Sequence, residues 1–87
     1  MRVRLLYFAV LRDIAGTNAA ELDLPAGARA ADVWQRLRNE HHELSAYVQP
    51  PMVAVNEEYV AAEHVLRDGD ELAFIPVVEG EARKKHG

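Results

Sequence analysis

The sequence predicts an α+β fold, a mixed sheet of four to five strands with one main helix. Three observations carry this. Short alternating stretches rich in β-branched, aromatic and aliphatic residues recur along the chain, at Arg2–Val10, Ala19–Leu24, Met52–Val55 and Glu71–Ile75. One stretch, Ala30 to about His42, holds alanine, leucine and arginine with no internal glycine or proline. Turn formers separate the stretches. A single helix covers one face of a sheet and leaves the other open.

The elements follow in order. In the first strand Val3, Leu5 and Tyr7 share one face, and Arg2, Arg4, Leu6 and Phe8 share the other. Arg12-Asp13-Ile14-Ala15-Gly16 reads as a helical turn closed by glycine. In the second strand Ala20, Leu22 and Leu24 alternate with Glu21 and Asp23, and Pro25-Ala26-Gly27 ends it. On the helix, Val33, Trp34, Leu37 and His41 fall at helical spacing, with Leu44 one turn on, and Arg36, Arg38, Asn39 and Glu40 make the solvated side. Asp32 suits the first turn, but Ala28 or Arg29 makes a poor N-cap. Pro50-Pro51 stops the helix. Met52–Val55, the turn Asn56-Glu57-Glu58 and Tyr59-Val60 make a hairpin. The turn Leu66–Asp70 leads into a last strand in which Leu72 and Phe74 alternate with Ala73 and Ile75. Pro76 cannot donate to a ladder and ends it. Two hairpins around one helix, with the first and last strands adjacent and parallel, make a β-grasp. The expected organisation is one β-grasp domain over 1–78 and a flexible tail over 79–87.

Composition narrows the chemistry. The chain has 87 residues, 49% hydrophobic and 28% charged, enough for one core. It holds no cysteine, which excludes a disulfide framework, a thiolate metal site and a cysteine nucleophile. A formal charge of −4 argues against nucleic acid as a partner. No apolar run approaches the roughly 20 residues that span a bilayer, so no membrane is expected. The opening Met-Arg-Val-Arg-Leu-Leu-Tyr-Phe reaches Arg12 and Asp13 without a small-residue cleavage site, so it reads as a strand and not a signal peptide. The expected location is cytoplasmic.

Three blocks, Val3–Ala9 with Leu11-Arg12 and Gly16, Val53–Val60, and Leu66–Pro76, resemble the MoaD/ThiS sulfur carriers, and most closely the small subunit of molybdopterin synthase. The resemblance covers nearly the whole chain. It implies the ubiquitin-like β-grasp fold and a function at the C-terminus: sulfur carriage in molybdenum cofactor (molybdopterin) biosynthesis. In the family an E1-like adenylyltransferase (MoeB-like) adenylates the terminal glycine carboxylate with ATP, and a sulfur donor converts it to a thiocarboxylate. The tail then enters the large synthase subunit (MoaE-like). A free carboxylate is unreactive and a mixed anhydride makes it an acyl donor; the thiocarboxylate is ionised and nucleophilic. Terminal glycines enter a narrow channel because they carry no Cβ. The protein would be a co-substrate, the non-catalytic subunit. It would bind no cofactor itself, and ATP would be used by the activating partner.

The family's Pro-Pro-Val-x-Gly-Gly ending is altered. Val77 stands for the second proline, Gly80 for the first glycine and Glu81 for the second, and Ala82–Gly87 follow. Three readings are open. A peptidase trims after Gly80, which then carries the thiocarboxylate; Gly87 serves directly, after Arg83-Lys84-Lys85-His86; or the chain is a β-grasp binding module without sulfur transfer. A channel shaped for glycine would not readily pass Arg83, Lys84 and Lys85. A carrier for tRNA thiolation or thiamine, or a ubiquitin-like modifier, would use the same activated glycine.

The resemblance places Phe8, Arg12, Tyr59, Ile75 and Pro76 on the partner-binding face. On their own, Phe8 and Ile75 could equally be core and Tyr59 a hairpin cap. Leu6 and Phe8 share parity with Arg2 and Arg4, which suits an exposed apolar patch. Trp34 reads as core. His41, His42, Glu43 and His64 do not make a metal site, since adjacent histidines diverge on a helix. Asp68-Gly69-Asp70 is a turn and not a calcium loop. Asp13, Asp32, Glu57 and Glu58 are solvated and form no acid–base pair.

Overall fold

The alternation in the strands decides the architecture, because each strand offers one apolar row to a single helix. The computed structural model describes residues 1–46 and 51–75. Its elements are β1 (Arg2–Tyr7), α1 (Val10–Ala15), β2 (Ala19–Asp23), α2 (Ala30–Glu40), a 3₁₀ segment (His42–Ala46), β3 (Met52–Val55), β4 (Glu58–Val60) and β5 (Glu71–Ile75). The five strands form one mixed sheet in the order β2-β1-β5-β3-β4. β1 runs antiparallel to β2 and parallel to β5, while β3 is antiparallel to both β5 and β4. A parallel neighbour requires a crossover, and the segment carrying α2 supplies it.

One face of the sheet meets α2. Val3, Leu5 and Tyr7 of β1, Leu72 and Phe74 of β5, and Val53 and Val55 of β3 are buried there. α2 turns Ala30, Val33, Trp34 and Leu37 onto them, the i, i+3, i+4, i+7 stripe of a half-buried helix. The Trp34 and Phe74 rings pack with centroids 5.2 Å apart and planes tilted by 58°. The Trp34 indole N–H is buried there and, among the described residues, has no hydrogen-bond partner. An orphaned donor of this kind lowers stability by about 1–3 kcal/mol, which the packing of the indole must exceed.

Three local details differ from the sequence reading. β1 ends at Tyr7 and not near Val10, because the Leu11 N–H donates to the Phe8 carbonyl (3.0 Å) and closes a turn into α1. α2 ends at Glu40, where the His41 N–H still donates to Leu37 (2.8 Å); the 3₁₀ segment then delivers Leu44 to the core. Arg38, expected on the solvated side, is half-buried. The N-cap of α2 is Arg29, which contributes no side-chain acceptor. The Asp32 carboxylate compensates by accepting the Arg29 N–H at 2.9 Å, one half of a capping box.

Polar clamps fix the two turns flanking β5. Asp70, only 9% exposed, accepts the Arg67 N–H (2.8 Å) and the Asn56 side-chain amide (2.9 Å), while Asn56 Oδ1 accepts the Glu71 N–H (3.0 Å). The β3–β4 turn is thereby tied to the start of β5. Asn56 and Glu57 in that turn both have positive φ, 52° and 72°, as the two-residue turn of a tight hairpin demands. Asparagine tolerates this, but glutamate is strained. Glu57→Gly is therefore expected to raise stability by up to about 1 kcal/mol, read as a higher urea midpoint at unchanged m-value.

Tyr7 carries the second stability prediction. Burial and the nearby Glu40 carboxylate raise its phenol above the ordinary value, with Arg36 opposing. An acid whose folded value is raised holds its proton longer in the folded state. Its contribution is complete below the unfolded value of about 10 and declines as pH rises above it. Urea midpoints measured at increasing pH above 10 should fall less steeply for Tyr7→Phe than for the parent chain.

Candidate functional site: the open face of the sheet

The residues of opposite parity stand on the face that α2 leaves bare. Strand register aligns Ala19, Leu6, Ala73, Ala54 and Tyr59 in one row across all five strands. Met52 pairs with Ile75 one step towards the exit of β5. Towards the other end the row gives way to charge, with Arg4 opposite both Glu21 and Glu71, and Arg2 opposite Asp23. Arg2 bonds Asp23 (2.9 Å) and Glu21 (3.2 Å), and both contacts raise its already high pKa. Those side chains are mostly exposed, so the pairs add little stability. The face is thus apolar where β5 ends and charged where β5 begins.

Side-chain size turns the apolar end into a groove. Ala54 and Ala73 lie low in the two central strands, while Leu6, Phe8, Tyr59 and Ile75 rise around them and Glu57 and Glu71 stand at the rim. The cavity measures about 250 Å³. Small-molecule sites usually span about 300–1,000 Å³, so this volume suits the anchoring side chains of a protein partner better than a nucleotide. Phe8 is 41%, Met52 46% and Tyr59 66% exposed. Large apolar side chains left this open and contiguous mark an interaction surface.

Of the candidate partner-binding residues, Phe8, Tyr59 and Ile75 come together in the groove. Phe8 and Tyr59 are exposed and Ile75 is half-buried, so none of the three belongs to the main core. Arg12 is exposed on α1 and is not part of the groove lining. Pro76, Gly80 and Gly87 lie outside the described residues, as does the tail 79–87. The parity that groups Leu6 with Phe8 as an exposed patch agrees with the groove wall, whereas two lining features go beyond the sequence reading: the alanine floor and the Glu57 and Glu71 rim. The signal for the floor was present, since Ala73 alternates with Leu72 and Phe74 and Ala54 lies between Val53 and Val55.

Other surfaces are less suited to a site. A cavity of about 220 Å³ near the β3–β4 turn is lined by Asn56, Glu58, His64, Arg67 and Asp70, but the Asp70 and Asn56 groups there already bond each other. Among the described residues, no three His, Cys, Asp or Glu side chains gather as a metal site would require. Among the same residues, no helix is long and apolar enough to cross a membrane.

Comparison with known proteins agrees with this geometry. The molybdopterin synthase sulfur carrier subunit of Chlamydomonas reinhardtii is 35% identical over 82 residues, covering 92% of this chain and 99% of that one. Among solved structures, the putative molybdopterin converting factor subunit 1 of Pyrococcus furiosus superposes with a TM-score of 0.73 at 30% identity, covering 88% of this chain and 99% of the other. The Haloferax volcanii protein SAMP1 gives 0.75 at 27%, covering 92% and 99%. The sheet order, the single main helix and these neighbours define a ubiquitin-like β-grasp. The ThiS family model matches residues 5–80, almost the whole of the described fold and the stretch up to Gly80, and the chain belongs to the ThiS family.

Proposed function

We propose that the protein is the sulfur carrier subunit of a molybdopterin synthase. The observation that carries this reading is the placement of the apolar groove at the end of the sheet where β5 leaves towards Gly80. A partner gripping Leu6, Phe8, Tyr59 and Ile75 would receive the chain that follows Ile75 directly. The names of relatives support the same role, since the Chlamydomonas protein is called a sulfur carrier subunit and the Pyrococcus protein a subunit 1. Both names imply a second subunit, here a MoaE-like one.

In this reading the chain brings no catalytic pocket of its own. A MoeB-like enzyme holds ATP, and the chain's terminal carboxylate attacks the α-phosphorus and releases pyrophosphate. A sulfur donor then displaces AMP to leave a thiocarboxylate. Gly80 is the carrying residue, and its use requires removal of Glu81–Gly87. Two points support Gly80 over Gly87: the family match stops at residue 80, and the side chains of Arg83, Lys84 and Lys85 are ill suited to a glycine-wide channel. A second reading, a ubiquitin-like modifier, draws on the likeness to SAMP1, one of whose solved structures is described as small archaeal modifier protein 1.

Two experiments test the role. A chain ending at Gly80 and the 87-residue chain are each incubated with ATP, sulfide and a MoeB-like enzyme, and intact masses are read. The Gly80-ended chain is expected to exchange one oxygen for sulfur and the longer chain to stay unchanged. If neither gains sulfur, the carrier role fails; attachment to lysines of other proteins would favour the modifier. Phe8→Ala and Ile75→Ala test the face. Each is expected to weaken binding of the large subunit by about 1–2 kcal/mol while lowering stability by less than a buried aromatic or aliphatic truncation, which removes about 2–5 kcal/mol. Loss of stability on that larger scale with unchanged affinity would return both residues to the core.

A further inference from the structure

The groove is polarised along its length. Glu57 and Glu71 stand at its rim, at the end where β5 begins. The backbone holds them close: the Asn56 N–H donates to the Glu71 carbonyl (2.8 Å), and the Glu71 N–H donates to Asn56 Oδ1 (3.0 Å). Ile75 lies four residues further along the same strand, roughly 13 Å away. Phe8 follows Tyr7, the register partner of Phe74, and so shares that far end.

Among the described residues neither rim carboxylate has an ion-pair partner. Arg4, the register neighbour of Glu71, makes no ion pair with it. Arg2 is engaged by Glu21 and Asp23, so Arg4 is left against two carboxylates and this end of the groove is net acidic. Glu57 also keeps its place against backbone strain. Its φ of 72° suits glycine, and a glutamate there gives up hairpin stability. Such an outlier at the edge of an exposed apolar surface points to a use for the carboxylate.

On the reading of this groove as the partner-docking face, we infer that it takes a protein surface bearing an apolar anchor with an arginine or lysine set to one side, over Glu57 and Glu71. The anchor fills the hollow above Ala54 and Ala73, between Phe8, Tyr59 and Ile75, and the cation meets the acidic end. Docking turned end for end would bury the carboxylates against apolar surface without a counter-charge, which is costly. The rim thus sets the direction in which the partner seats on β5. A second copy of this chain is a poor occupant. Turned end for end it brings Phe8 and Ile75 over the carboxylates, and laid in the same direction it sets carboxylate against carboxylate. Each chain also carries a formal charge of −4, which repels a copy of itself.

Association kinetics of the full chain with a molybdopterin synthase large subunit test the partner's chemistry. Rim charges act mainly on the on-rate and its salt dependence. Glu57→Lys and Glu71→Lys are each expected to slow association about threefold to tenfold at low salt, a difference that should vanish near 1 M salt. Glu43→Lys makes the same change of net charge on the 3₁₀ segment, outside the groove lining, and is expected to slow association by no more than about twofold. Glu57→Gly separates binding from folding, since it should slow association while raising the urea midpoint. Double-mutant cycles pairing Glu57→Gln or Glu71→Gln with alanine substitutions of the large subunit's surface arginines and lysines are expected to find a coupled pair. No slowing by the rim variants, equal slowing by Glu43→Lys, or no coupled pair overturns the inference. A parent chain that sediments as a dimer and becomes a monomer on Tyr59→Ala also overturns it, because the occupant is then a second copy. If the Gly80-ended chain gains sulfur and the rim variants associate like the parent, the basic partner fails and the carrier role stands. If the rim variants slow association as expected and no activating enzyme adds sulfur, the carrier role fails and the basic partner stands.

Discussion

One helix cannot cover two faces of a five-stranded sheet, and the rest of this protein follows from that limit. α2 satisfies the face carrying Leu5, Leu72 and Phe74, each at most 1% exposed. The opposite face must either be made polar or be covered by something else. Here it is divided. Arg2, Arg4, Glu21 and Asp23 keep one end wet, and Leu6, Phe8, Tyr59 and Ile75 keep the other apolar. A uniformly polar face would serve solubility as well or better. The apolar half therefore reads as a surface held for a partner.

The central position of β5 gives that surface its direction. β5 lies between β1 and β3, so the last described strand exits from the middle of the sheet and not from an edge. The Asp70–Asn56 clamp and the bond from Gly69 N–H to the Arg2 carbonyl (2.8 Å) fix the start of β5 against both neighbours. The end of β5 is framed by Phe8 and Met52. Two strained non-glycine positions lie next to the groove: Glu57 at its rim, and Ala9 (φ 52°, ψ −128°) immediately after Phe8. Each such conformation costs of order 1–3 kcal/mol. At Ala9 the strain permits β1 to turn into α1 without a loop, leaving Phe8 as the last side chain before the reversal. At Glu57 it keeps a carboxylate where a glycine would make the better hairpin.

The sequence was most legible where a side chain's period alone decides the outcome. Alternation in Val3–Tyr7 and Leu72–Ile75 assigned both faces correctly, and Gly16 and Gly69 marked the ends of their turns. It was less legible where backbone geometry overrides composition. Phe8-Ala9-Val10 has the composition of a strand, and nothing in an alanine announces a positive φ, so β1 was read too long. The groove was half visible. Large residues such as Phe8 and Tyr59 attract notice, but concavity is made by what is small between them, and Ala54 and Ala73 acquire meaning only once register sets them side by side. Arg12 shows the converse: matching a family block does not by itself bring a side chain to the groove.

In the proposed carrier role, a chain without a single cysteine would have to hold its sulfur atom on the backbone, and that requirement would explain a division of labour. A groove of about 250 Å³ is small for ATP together with a sulfur donor, so in that role activation would fall to a larger partner. What would remain for the small domain in that role is to be held firmly and to offer a slender end. Firm holding needs bulk, which Phe8, Tyr59 and Ile75 supply; a slender end needs residues without side chains, of which Gly80 is the one that the family match reaches. Bulk at the face and bareness at the terminus are opposite demands on neighbouring parts of one chain. They can be met together only if the strand that carries the end is itself locked in the centre of the sheet, as β5 is.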